Sequence, residues 1–230
     1  MPKAIKKKIA KPAKKEEDVR GIIHEVRKSI AGRKKYLLPI VIIAAVAVIA
    51  SAGFLMYRSS MNAKADALGN EGYQIYYGLY QKQPLQKEDH YQKALEKFQK
   101  SYEAKKSPIS LFYIASCYEA MGKYDDSLKA LKELNERFPD DEIYVPLAYY
   151  KMAMIDLKKG NTDEALKYLD TITNYKTGSF KDLALSESAK LLESMGKKEE
   201  AAKKYAQLKK DFPNSPFAMA GQGQAGEKKD

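Results

Sequence analysis

Residues 119–128 read EAMGKYDDSL, residues 156–166 read DLKKGNTDEAL, and residues 193–202 read ESMGKKEEAA. Aligned on Gly122, Gly160 and Gly196, they form one motif repeated at intervals of 38 and 36 residues, the period of a helical-hairpin repeat. Each glycine follows one helical pattern and precedes another. A glycine there ends the first helix in a backbone conformation that a β-carbon resists. Small residues recur around it: Ala115, Ala153 and Ala189 before, Ser127, Ala165 and Ala201 after. They let the two helices of a hairpin approach closely. Pro139 and Pro213 stop the second helix and start the next hairpin, and Thr177 stands in that place in the middle copy. The acidic pairs Asp125-Asp126, Asp163-Glu164 and Glu199-Glu200 open the second helices, where carboxylates favour the helix dipole.

A degenerate copy precedes these three. Residues 91–98 (YQKALEKF) read as a second helix with Ala94 in the small slot, and its first helix falls within residues 63–82. Pro84 and its neighbours lengthen the connection. Tyr73, Tyr76, Tyr77 and Tyr80 recur at helical spacing, either as a packing face or as an aromatic binding face.

This pattern resembles the tetratricopeptide repeat family. In that family's 34-residue frame, with Gly122 at position 15, Tyr118 takes the aromatic position 11, where Asp156 departs from the pattern. The resemblance implies a solenoid in which the first helices line a groove through positions 2, 5, 9 and 12. Those positions hold Ile109, Phe112, Ser116 and Glu119, then Leu147, Tyr150, Met154 and Leu157, then Leu183, Ser186, Lys190 and Glu193. The first two sets are apolar for a surface and suit an amphipathic helix or an unfolded segment, or else pack on neighbouring helices. They lack the Lys and Asn pattern with which some members clamp a chaperone's terminal carboxylate.

Ahead of the repeats, residues 36–57 (YLLPIVIIAAVAVIASAGFLMY) carry no formal charge. At 1.5 Å per residue they extend roughly 33 Å, enough to cross a bilayer's hydrocarbon core. Basic residues flank the run, Tyr36 and Tyr57 stand where interfacial aromatics belong, and Pro39 is placed in the first turn of the span. The net charge of +11 is uneven. Residues 1–35 carry 13 Lys/Arg against 4 Asp/Glu, whereas residues 58–230 carry 28 against 26. A near-neutral repeat domain argues against nucleic acid. The basic segment argues for a cytoplasmic N-terminus, with the repeat domain on the other side. Cleavage after Ala52, at an A-x-A site, is the rival reading; the 35-residue basic lead and the apolar continuation through Met56 favour an uncleaved anchor. Within the basic arm, Val19, Ile22, Ile23, Val26 and Ile30 form a helical stripe that could lie on the membrane or dock to a partner.

Little points to catalysis. His24 and His90 are the only histidines, and the span divides them, so no His-based triad or zinc site can assemble. No phosphate-cradling glycine motif stands before a helix; residues 221–226 (GQGQAG) sit in a polar terminus without a preceding strand. Cys117, the single cysteine, reads as a small buried hydrophobe.

The sequence therefore predicts an all-α chain: a single transmembrane helix followed by a tetratricopeptide-like α-hairpin solenoid of about four repeats. Residues 1–35 form a basic cytoplasmic tail with a short amphipathic helix over 16–31, and 36–57 the transmembrane helix. Residues 58–213 form the repeat domain, with hairpins near 63–105, 108–139, 144–175 and 179–212, and 214–230 a flexible tail. The layout also resembles the bacterial family of the ancillary Sec translocon subunit, whose repeat domain is related to the periplasmic cell-division coordinator. That resemblance implies a non-enzymatic, inner-membrane adaptor with a periplasmic repeat domain. It implies no cofactor, metal, nucleic acid or small-molecule substrate, and protein partners at the translocon: its subunits, chaperones or secretory clients. The alternative is a scaffold or coordinator for envelope assembly or cell division; a remoter one is an enzyme with an unrecognised site.

Overall fold

In the computed structural model the described residues are 14–79 and 87–218; for 14–18, 29–37 and 87–88 only the backbone is described. The basic run before residue 14, Tyr80, Pro84 and most of the C-terminal tail fall outside them. The described residues are all helical, without strands. The helices are α1 (Lys14–Tyr76), α2 (Lys87–Ala104), α3 (Pro108–Ala120), α4 (Tyr124–Arg137), α5 (Tyr144–Lys158), α6 (Thr162–Thr173), α7 (Lys181–Ser194) and α8 (Lys198–Asp211). The chain divides into two compact units between Ser59 and Ser60.

In the first unit, one helix is long and apolar enough to cross a membrane. Its apolar residues from Leu38 to Tyr57 are exposed, as a lipid-facing surface requires. Ser51 is the one hydroxyl between Leu38 and Tyr57, and it donates to the Ala47 carbonyl at 2.7 Å, so it carries no unmet donor into the span. Two expectations change here. Residues 16–31 are not a separate short helix but part of α1. Pro39 consequently lies inside a helix, not in its first turn. Its ring removes the donor that would meet the carbonyl four residues earlier, which makes it the natural point for a bend.

In the second unit, helices pair as hairpins α3/α4, α5/α6 and α7/α8. The end of α1 serves as first helix to α2: Ser101 Oγ donates to the Ala65 carbonyl at 2.8 Å, and Tyr76 and Tyr91 rings lie 5.4 Å apart. The close-approach slots are filled by Ala115, Ser127, Ala153, Ala165 and Ala189, each 0% exposed. The Ser127 hydroxyl is satisfied on the Ala115 carbonyl at 2.8 Å. Gly122, Gly160 and Gly196 adopt φ of 73°, 82° and 77°. No neighbour lies within 4 Å of a β-carbon placed on any of them, so it is the dihedral and not space that selects glycine. At each, the next residue's N–H reaches back five residues and the glycine N–H three, a Schellman cap. Gly78 (φ 65°) carries the same cap, Leu79 N to Gln74 O and Gly78 N to Ile75 O, and thereby ends the first helix of the degenerate hairpin.

The acidic pairs lie in the first turns of α4, α6 and α8 without side-chain cap bonds, so they act through the helix dipole. Where Thr177 replaces proline, the link from α6 to α7 is held by tertiary contact. The Tyr175 hydroxyl reaches the Pro139 and Asp141 carbonyls at 2.9 and 3.2 Å. Phe180 closes this link at φ 63°, a left-handed conformation for a residue with a β-carbon, while packing on the core around Leu169.

Candidate partner-binding face

The first helices carry the groove positions, and their neighbours decide what each offers. Ile109 is 45% exposed. Phe112, Leu147, Tyr150, Met154, Leu157 and Leu183 are half-buried. Phe112 lies against the Tyr113 and Tyr144 rings, with Lys151 Nζ 5.3 Å above its centroid. Tyr150, Met154 and Leu157 rest on the core of Ala153, Ala165, Leu169, Ile172 and Ala184. Ser116 is corrected: it is 4% exposed and donates to the Phe112 carbonyl at 2.9 Å, so it presents nothing to a partner. Ser186 is likewise buried, while Lys190 is exposed and bonded to Glu187 at 2.8 Å.

Glu119 is already engaged. Its carboxylate receives Lys151 and Lys158 of the next repeat, each at 2.7 Å. Burial pushes this carboxyl up, but the two ammonium groups outweigh it and hold it below its ordinary value of 4.5. A carboxyl lowered on folding contributes stability that is complete above 4.5 and lost as pH falls through its folded value. Glu119→Gln is therefore expected to lower Tm at neutral pH and to flatten the acid limb of a Tm-against-pH curve. An unchanged acid limb would show that other carboxylates set it.

This contact belongs to a ladder missed by the sequence reading. Lys159 meets Asp125 and Lys204 meets Asp170, each at 2.6 Å, and Lys176 meets Asp140. These three pairs stand 34 to 36 residues apart, and Glu119 reaches 32 and 39 residues along, in each case about one repeat. Opposite charges one period apart are visible once the repeat frame is drawn. The pairs of Lys159 with Asp125 and of Lys176 with Asp140 are exposed, so they set register between repeats more than they add stability; that of Lys204 with Asp170 is half-buried.

The tyrosine stripe is packed at one position and exposed at two. Tyr76 packs on the core, whereas Tyr73 and Tyr77 are 42% and 53% exposed. Between α1, α2 and α3 lies a cleft of about 390 Å³, lined by Tyr73, Phe98, Ile109 and Tyr113, with Asp66 and Lys105 among its polar residues. Small residues make room for it: Gly69 lines it, and a β-carbon on Gly72 would meet the Phe98 ring at 3.0 Å. Cys117 is fully buried, and burial pushes its thiol up to about 12, so it is not a reactive thiol.

Stacked hairpins with glycine-capped first helices and an apolar first-helix face define a protein–protein interaction module. The chain belongs to the tetratricopeptide repeat-like domain family, whose model matches residues 34–220. No curated protein is similar to it in sequence. Among solved structures it is similar to PilW, described as a widely conserved type IV pilus biogenesis factor. The TM-score is 0.52 at 15% identity, over 90% of this chain and 92% of that one. It is also similar to the TPR-like repeats of a Podosopora anserina kinesin light chain, with TM-score 0.50 and 14% identity over 70% and 83%. Pseudomonas aeruginosa PilF gives a TM-score of 0.46 at 16% identity; 70% of this chain is covered, and the chain spans 66% of PilF. At these identities the likeness is one of fold.

Proposed function

We propose that this chain is a membrane-tethered adaptor that binds partner proteins on the first-helix face of its repeat domain. The observation that carries the reading is the run Ile109, Phe112, Leu147, Tyr150, Met154 and Leu157, part-exposed on consecutive first helices. It continues into the cleft beside Tyr73. Half-buried apolar rows of this kind accept an amphipathic helix or an extended apolar segment. The excess of basic residues before the span supports a cytoplasmic N-terminus in a bacterial inner membrane, with the repeat domain in the periplasm. In that setting the partners are the Sec translocon with periplasmic chaperones or secretory clients.

A photo-crosslinker at Phe112 or Tyr150 of the full chain in membranes, followed by mass spectrometry, tests the partner. Translocon subunits and secretory clients are expected; division or cell-wall proteins would replace that reading with an envelope scaffold. Placing two carboxylates on the face, Phe112→Glu with Tyr150→Glu, is expected to weaken capture by about tenfold or more, because two aromatic contacts are lost and carboxylates would have to be desolvated against an apolar partner. If the folded double variant kept every partner, the face would not be the binding site. A C-terminal reporter active in the cytoplasm would reverse the orientation.

A further inference from the structure

Val19, Ile22, Ile23 and Val26 are 53%, 62%, 58% and 51% exposed on α1. At about 100° per residue they share one arc roughly 100° wide, the width of an amphipathic face. Arg20 and Arg27 stand at one edge of that arc and Glu25 at the other, with His24 and Lys28 behind. Ile22, Ile23, Val26 and Arg27 form one shallow surface.

Two observations select what covers this face. Residues 1–35 carry 13 Lys/Arg against 4 Asp/Glu, so the cover has to be strongly anionic. The uncharged run begins at Tyr36, eight residues after Lys28, so the bilayer that the chain is read to span is within reach of this face. A tethered face needs little affinity of its own, since its effective concentration at the surface is high. We propose that residues 19–28 lie in the headgroup region of an anionic bilayer. The four apolar side chains enter the acyl boundary, and Arg20 and Arg27 extend along that edge to lipid phosphates. Lying down requires α1 to bend, and Pro39 interrupts its hydrogen-bond ladder between this face and the middle of the span. The inference rests on the anchor reading and is independent of which partner the repeats bind.

The full chain, with Cys117→Ser and a nitroxide on Val26→Cys, is reconstituted into vesicles of phosphatidylcholine alone or with phosphatidylglycerol. Relative accessibility to oxygen and to a nickel chelate reports depth. The label is expected to be immersed in the anionic vesicles and aqueous in the zwitterionic ones. A label on Lys28→Cys stays aqueous in both. Arg20→Gln with Arg27→Gln should shift the immersed-to-aqueous ratio on the order of tenfold, and high salt should act in the same direction. Equal immersion in both vesicles would overturn the proposal, as would an aqueous label in both. Spin–spin broadening that disappears on dilution with unlabelled chain would overturn it in favour of a second copy as the cover. Failure of the chain to insert, seen as release by alkaline carbonate, would refute the anchor itself and is read separately from label depth.

Discussion

Phe98→Ala is expected to destabilise the first hairpin by about 3–5 kcal/mol, the range for truncating a buried aromatic. Phe98 is 2% exposed, stacks on Tyr113 at 4.8 Å with a 10° interplanar angle, and closes over the gap left by Gly72. Little else can fill the space. Gly72 has no side chain, and Ser101, which lies against Gly69, is tied to Ala65 and Ser110. A solenoid's stability is a sum of repeat and neighbour terms, so the loss should be local. Hydrogen exchange is the measurement. Amides of 60–76 and 87–104 should lose protection, while those of α5 to α8 retain it. Uniform loss across all hairpins would mean that the domain unfolds as one unit and that the repeats are not separable. The cleft beside Tyr73 would lose its floor in the same variant.

Leu169→Ala is expected to cost about 2–5 kcal/mol and to act at the other end. Leu169 is 0% exposed in a core otherwise made of Ala153, Ala165, Ala184 and Ile172. Three of those five are alanines, so Leu169 and Ile172 are the two large side chains fully buried at its centre, with half-buried residues such as Tyr150, Met154 and Phe180 packed around them. Phe180 rests on this core while holding a left-handed backbone, so loosening the core also releases what keeps that conformation in place. Protection should fall in α6 and α7 and survive in α2 and α3. Tyr150, Met154 and Leu157 pack on the same core, so partner capture through them should weaken as well. A Leu169→Ala protein with unchanged exchange in α6 would show that the helices collapse onto the gap.

The fold was legible because its signals are local. A glycine at φ near 80° announces itself, since few other residues tolerate that dihedral. Small residues at fixed offsets from it announce a close helix pair. An uncharged run from Tyr36 to Tyr57 is long enough to cross a bilayer, and its length and apolar character are read directly from the residues. Gly78 escaped notice because the insertion after it breaks the spacing to Ala94, although its cap is the same as the others. Residues 32–35 (GRKK) separate the amphipathic stripe from the uncharged run in sequence, so Pro39 reads as a first-turn residue, yet α1 runs through both.

The candidate site was less legible, for a reason of geometry. Positions 2, 5, 9 and 12 place residues on one side of a helix, but the next hairpin decides which of them meet solvent. Ser116 sits at a groove position and is buried; Tyr73 and Tyr77 flank Tyr76 on one turn and are exposed where it is packed. The cleft depends on three helices meeting, and its floor on Phe98 facing a glycine 26 residues earlier. The sequence by itself determined the repeat, its caps and an apolar run long enough to span a bilayer, because dihedral preference and hydropathy belong to single residues. Only the tertiary structure decided which side chains of the first helices meet solvent, where the cleft opens, and that Glu119 is already held by Lys151 and Lys158. Those outcomes depend on contacts between residues about one repeat apart, and no property of either residue alone carries them.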